Sequence, residues 1–156
     1  MNTVCYIMET RDMDIDEINH LWAQDCKIDE TNLSRESSRI PELHNKYYNL
    51  FYREALKVKK LKADLLEFQK IKSDYYNGTM DELDLKDRGW KPFQLKVLRG
   101  DLDRYVQSDS EIIQLSLKIA LHEERAKYLE SIVRQINNRN FIVKNMIDWA
   151  RFQAGG

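Results

Sequence analysis

The sequence predicts a mainly all-α fold: long antiparallel helices with a small irregular or short β-hairpin insert, assembled as a coiled-coil-like homo-oligomer. Two observations predict it. Among 156 residues there are only 2 prolines and 5 glycines, while helix-forming residues fill the second half of the chain. Apolar residues also recur every three or four positions over residues 112–150. Such a helix, roughly 60 Å long, exceeds what one small core needs.

The length fits a single domain over residues 1–156. Within it we expect five segments. They are an N-terminal extension at 1–13, a short helix and cap region at 14–40, a basic helix at 41–77, an irregular insert at 78–107 and a C-terminal oligomerisation helix at 108–153.

Local signals place these boundaries. Asp14 precedes an apolar helical period and suits a helix N-cap. Pro41 suits the first turn of the basic helix, where its missing N–H costs nothing, and Asn77-Gly78 ends that helix. In residues 91–107 the apolar side chains alternate, with Arg99-Gly100 as a turn, so this stretch is either irregular or a hairpin.

The C-terminal helix starts at a capping-box pattern, Ser108-Asp109-Ser110-Glu111. Its seam either meets the basic helix within the chain or packs against other copies, and its length favours the second. His122 and Asn140 are polar interruptions of the kind that set register. The predicted oligomer contacts toward the C-terminus are Val133, Ile136, Asn140, Phe141, Val143, Met146, Ile147, Trp149, Ala150 and Phe152.

Charge is segregated along a chain whose net charge is only −1. Residues 1–44 carry ten acidic and four basic side chains, whereas residues 45–72 carry eight basic and three acidic ones. Six lysines of this basic block and one tyrosine just after it are candidate contacts to single-stranded nucleic acid, because lysines track phosphates and an aromatic ring stacks on a base. These candidates are Lys57, Lys59, Lys60, Lys62, Lys70, Lys72 and Tyr76. The alternative is an ordinary solvated helix face.

No motif for an enzyme or a cofactor is recognisable. The sequence has no Gly-rich phosphate loop, HExxH or CxxC, and its two cysteines lack metal-ligand spacing. We therefore expect no catalytic residue, no metal and no cofactor. No apolar run approaches the roughly 20 residues that cross a bilayer, so we expect a soluble, intracellular protein.

The stretch Lys70-Ile71-Lys72-Ser73-Asp74-Tyr75-Tyr76-Asn77-Gly78 resembles the Lys-x-Arg-x-Asp-Tyr-Tyr-x-Gly motif of the UvsY family of phage recombination mediators. The C-terminus is similar to that family as well, in the spacing of Phe141, Lys144, Asp148, Phe152, Ala154 and Gly155. The chain departs from the motif at Lys72, where the family has arginine. A lysine lacks the planar guanidinium that binds phosphate through two hydrogen bonds, so phosphate binding here would depend more on the neighbouring lysines.

The resemblance implies a non-enzymatic mediator that binds single-stranded DNA and helps a phage recombinase replace the phage single-strand-binding protein. It implies DNA binding by Lys70 and Lys72, self-association through residues 141–152, and a ring of six to eight subunits in the cytoplasm of the infected bacterial host. The rival interpretation is a structural coiled-coil scaffold or adaptor that docks proteins without nucleic acid.

Overall fold

A computed structural model describes residues 13–155 of the chain. These residues contain five α-helices. They are α1 (Ile15–Asp25), α2 (Leu33–Asn77), α3 (Glu82–Arg88), α4 (Leu102–Gln107) and α5 (Ser110–Gln153). The prediction of a helical protein is confirmed. The predicted N-terminal extension lies, except for Met13, outside the described residues. Within residues 13–155 no helix is both long enough and apolar enough to cross a membrane.

Of the two alternatives for residues 91–107, the structure has the irregular one and not the hairpin. This stretch contains no strand; it is irregular up to the short helix α4. The alternating apolar residues Phe93, Leu95 and Val97 are not all buried. Leu95 is 65% exposed, whereas Phe93 packs among other rings. A lone two-stranded hairpin has little stability in water, and here single aromatic contacts hold the segment instead.

α2 begins eight residues earlier than Pro41 suggested. The Asn32 side chain accepts a hydrogen bond from the Arg35 N–H (3.1 Å) and starts the helix there. Pro41 then lies inside the helix, where it removes one backbone hydrogen bond. Burial of Ile40 and Leu43 on either side of it offsets that cost. Tertiary packing has overridden the local preference of proline for a helix start.

The described chain divides into two compact units. The first contains α1 with residues 33–48 and 128–155, and the second spans residues 49–127. The expectation of a single domain stays a prediction. Each unit has its own buried apolar residues. Those of the first are Ile18, Ile40, Leu43, Tyr47, Leu129, Ile132, Ile136 and Val143, and those of the second are Leu61, Val106, Ile112 and Ile119.

Arg139 closes the end of α1 in the first unit. Its buried guanidinium donates to the carbonyl oxygens of Asp25, Cys26 and Lys27 at 3.2, 3.1 and 2.7 Å. It also pairs with the buried Glu36 carboxylate at 2.6 Å. A helix end leaves carbonyl oxygens without intrahelical donors, and α1 has no glycine stop. One arginine of α5 therefore satisfies the end of α1 and joins it to the start of α2.

In the second unit α2 and α5 run antiparallel, because residues later in α2 contact residues earlier in α5. Glu54 contacts His122 at 2.7 Å, and Lys72 pairs with Asp109 at 2.9 Å. His122 is 3% exposed. The polar interruption expected to set the register between subunits is thus matched by an acid of the same chain.

Candidate nucleic-acid interface

Three of the predicted lysines stand on the outer surface of α2. Lys59, Lys60 and Lys70 are exposed, and no ion pair holds them among the described residues. Lys59 and Lys70 are eleven positions apart, about three helical turns, so they project from the same side of the helix. These three form what we call the outer lysine face, and they remain available to an anionic ligand.

Two further lysines of the cluster are engaged within the protein. Lys62 pairs with Glu123 of α5 at 2.6 Å, and hydrogen bonding from Lys62 lowers the pKa of that glutamate. Both side chains are substantially exposed, so the pair is screened by water and contributes little to stability. Lys57 is half-buried and interacts with another group of the protein. The cluster therefore has fewer lysines available to a ligand than its sequence suggests.

Lys72 occupies a different environment from Lys70. It is 4% exposed, and its ammonium pairs with the carboxylates of Asp109, at 2.9 Å, and Glu111. The ammonium also lies 4.1 Å from the centre of the Trp90 ring, a cation–π contact. Lys72, for which the sequence motif implies a DNA contact, is thus buried in this chain and ties the end of α2 to the start of α5.

Tyr76 is held in the same network. Its hydroxyl donates to Asp109 at 2.8 Å, and its ring packs against Phe93 at 4.9 Å and Tyr105 at 5.7 Å. Burial raises the pKa of Tyr76, and the hydrogen bond to the Asp109 carboxylate raises it further. With its ring half-buried among other rings, Tyr76 is not the free stacking surface that the sequence suggested.

Asp109 is the centre of this cluster, and sequence reasoning used it only as part of a cap. Its carboxylate accepts from the Glu111 N–H at 2.9 Å, which caps α5, as well as from Lys72 and Tyr76. Burial by itself would raise the pKa of Asp109, but the hydrogen bonds from Lys72 and Tyr76 outweigh it and hold the pKa below 3.8. The only sequence signal for this role was the capping pattern.

The predicted oligomer contacts, all in the first unit, separate into buried, half-buried and exposed residues. Ile136 and Val143 are buried at 0% and 2% exposure, so this part of the seam already packs within the chain and is a poor surface for a partner. Three more are half-buried, namely Val133, Met146 and Ile147. The other five are exposed, namely Asn140, Phe141, Trp149, Ala150 and Phe152. Trp149 and Phe152 stack on each other with ring centres 5.7 Å apart. An aromatic surface is left uncovered.

Comparison with known proteins gives one family and one fold. The family described as "Recombination, repair and ssDNA binding protein UvsY" matches residues 21–156. Crystal structures of the bacteriophage T4 recombination mediator protein UvsY are similar to this chain. One, lattice type II, has a TM-score of 0.78 at 18% identity over 91% of this chain and 98% of the T4 chain. Another, lattice type I, has a TM-score of 0.76 at 17% identity over 88% and 98%. No curated protein sequence gives a significant match.

Proposed function

The chain belongs to the UvsY family, and on that premise we propose that it is a recombination mediator that binds single-stranded DNA. The observation that carries the proposal is the outer lysine face. Lys59, Lys60 and Lys70 are exposed on α2 and are not neutralised by an ion pair among residues 13–155. Phosphates neutralised by such side chains release counterions, and this release drives binding to a strand of any sequence.

The phosphate contacts in this proposal are Lys59, Lys60 and Lys70, with Lys57 and Lys62 as neighbours that add to the local positive potential. Lys72 and Tyr76 have a supporting role: they hold the end of α2 against the start of α5 through Asp109. Of the two basic residues in the family motif, Lys70 is therefore exposed and Lys72 is buried.

Assembly is the second part of the proposal. We assign self-association to the exposed aromatic surface of Phe141, Trp149 and Phe152, which are 69%, 60% and 70% exposed. Large exposed apolar patches mark interaction surfaces. A ring of six to eight copies would repeat the outer lysine face, so that each contact after the first becomes intramolecular and a weak patch gives strong binding.

A strand held by such an assembly would be presented to a phage recombinase in place of the phage single-strand-binding protein, in the cytoplasm of the infected host. This loading step and both partners follow from the family and not from a surface of this chain.

DNA binding is tested by titrating a fluorescent oligo-dT with the full chain at several salt concentrations. We expect log affinity to fall linearly with log salt, and the triple variant Lys59→Ala, Lys60→Ala, Lys70→Ala to lose affinity and flatten the slope. The matched control removes three other exposed lysines, Lys86, Lys96 and Lys118, and should alter the slope much less. Absence of oligo-dT binding by the wild type at low salt would leave the scaffold interpretation.

Assembly is tested by light scattering of a Trp149→Ser, Phe152→Ser variant. We expect a smaller mass than that of the wild type, with unchanged helical content. The control is Leu95→Ser with Leu98→Ser, which are 65% and 70% exposed in the insert and should leave the mass unchanged. Equal masses for the wild type and the aromatic variant would refute this interface.

A further inference from the structure

One aromatic side chain on α2 stands outside the packed rings of the second unit. Tyr52 is 52% exposed, and within residues 13–155 its ring has no aromatic partner and its hydroxyl no hydrogen bond. By contrast, the rings of Tyr75, Tyr76 and Phe93 pack against one another. A half-exposed tyrosine presents a broad apolar face to solvent with little conformational freedom, which suits it to bind a flat ligand.

The position of Tyr52 relates it to the outer lysine face. Leu56, Lys59 and Lys60 follow at four, seven and eight positions along α2, so they share one side of the helix with Tyr52. The rise from Tyr52 to Lys59 is about 10 Å along the axis. Leu56 is 47% exposed and lies between the ring and the lysines. An aromatic face and cations thus stand side by side on the same helix.

The charge of this stretch favours a nucleic acid over a protein helix as the ligand. Among residues 49–63 the one acidic residue is Glu54, and it is turned to α5, where it contacts the buried His122 at 2.7 Å. No carboxylate therefore lies on the outer side between Tyr52 and Lys60; the next ones along α2 are the exposed Asp64 and Glu67. The sequence-tolerant way to bind single-stranded nucleic acid is a positive track with an aromatic ring on which bases stack.

We propose that Tyr52 is the base-stacking residue of this protein, with Leu56 beside it and with Lys59 and Lys60 holding the adjacent phosphates. This inference rests on the proposed single-stranded-DNA binding and adds to it a residue for the base. It gives Tyr52 the role that the sequence assigned to Tyr76, whose ring is occupied.

The test compares Tyr52→Ala and Tyr52→Phe with the wild type on two strands, oligo-dT and a strand of the same length made of abasic sites. We expect Tyr52→Ala to bind oligo-dT about 5- to 150-fold more weakly, since this is the range for loss of one stacked base. Tyr52→Phe keeps the ring and should bind within about twofold of the wild type. On the abasic strand all three proteins should bind equally, because only phosphates remain to be contacted.

Two further measurements separate stacking from other effects. The slope of log affinity against log salt should be the same for Tyr52→Ala and the wild type, because the number of phosphate contacts is unchanged. Leu117→Ala removes an apolar side chain that is 65% exposed on α5 and should leave affinity for both strands unchanged.

The outcomes distinguish this inference from the function on which it rests. If the wild type binds oligo-dT with a salt-dependent affinity but Tyr52→Ala binds it equally well, Tyr52 does not stack and the DNA-binding function stands. If Tyr52→Ala loses affinity equally for both strands, or has a smaller mass in light scattering, the ring serves structure or assembly and the inference is overturned. If the wild type binds neither strand, the proposed function itself fails.

Discussion

Replacing Lys72 by methionine and, separately, Lys70 by methionine tests the division of the sequence motif into a buried and an exposed cation. Methionine keeps a long flexible apolar stem and removes the charge. At position 72 it leaves the Asp109 carboxylate, whose side chain is 8% exposed, without its cationic partner. At position 70 it changes an exposed side chain. The two variants have the same change in composition and net charge.

The expected loss of stability follows from the contacts of Lys72. Breaking a buried ion pair by removing one partner costs about 3 to 5 kcal/mol. Asp109 keeps the Tyr76 hydroxyl and the Glu111 N–H, so the lower end, about 3 kcal/mol, is appropriate. The half-exposed Glu111 adds little. For a chain of this size about 3 kcal/mol corresponds to a fall in Tm of roughly 6 to 12 °C. Lys70→Met should change stability by less than about 0.5 kcal/mol.

The assay has two readouts at one fixed protein concentration, because the proposed assembly would make Tm concentration-dependent. Thermal unfolding followed by circular dichroism reports stability. Oligo-dT titration at several salt concentrations, well below the Tm of each variant, reports phosphate contacts. Lys70→Met should lower the slope against log salt by about 0.7 for each phosphate contact that is lost. Lys72→Met should keep the slope of the wild type.

The opposite pattern would refute the reasoning. A Lys72→Met protein that melts with the wild type but has a reduced salt slope would mean that Lys72 leaves the Asp109 pair and contacts phosphate. In that case the burial of Lys72 would not describe the DNA-bound protein.

Three other predictions follow from the same contacts. Arg139→Met removes the nearest cation of the buried Glu36 carboxylate, which keeps Arg39 at 3.9 Å, and removes the donor to three carbonyl oxygens at and just after the end of α1. Urea unfolding should therefore show a loss of about 3 kcal/mol; a loss below about 1 kcal/mol would contradict this. Because the folded-state pKa of Asp109 lies below 3.8, its stabilisation is present above about pH 5 and is lost as pH falls through that lowered pKa. Asp109→Asn should therefore be less stable at neutral pH and lose less stability than the wild type between about pH 5 and pH 2 in pH-dependent melts. Gly89 ends α3 with φ +67°, a conformation that costs an alanine about 1 kcal/mol. Gly89→Ala should therefore speed hydrogen exchange of the α3 amides about fivefold. Gly100 has an ordinary φ, so Gly100→Ala should leave this exchange unchanged.

The local elements were within reach of the sequence because their signals are local. The capping residue Asp14 starts α1, and the three-four spacing of apolar residues predicts a long helix where α5 is found. The start of α2 was misplaced because the cap at Asn32 and the burial of Ile40 outweigh the preference of Pro41 for a first turn. The sequence left the hairpin open, and none forms, because period-two alternation over a few residues does not by itself provide a partner strand.

The helical class, the positive charge of α2 and the apolar period of α5 can be read from the sequence, because each depends on residue type and spacing along one helix. Which lysine is available depends instead on tertiary packing. Lys70 and Lys72 are two positions apart and so point to different sides of α2. The side of Lys72 meets Asp109, a residue 37 positions away in sequence. Spacing along a chain specifies which face a side chain occupies, whereas packing between distant segments decides which face is covered.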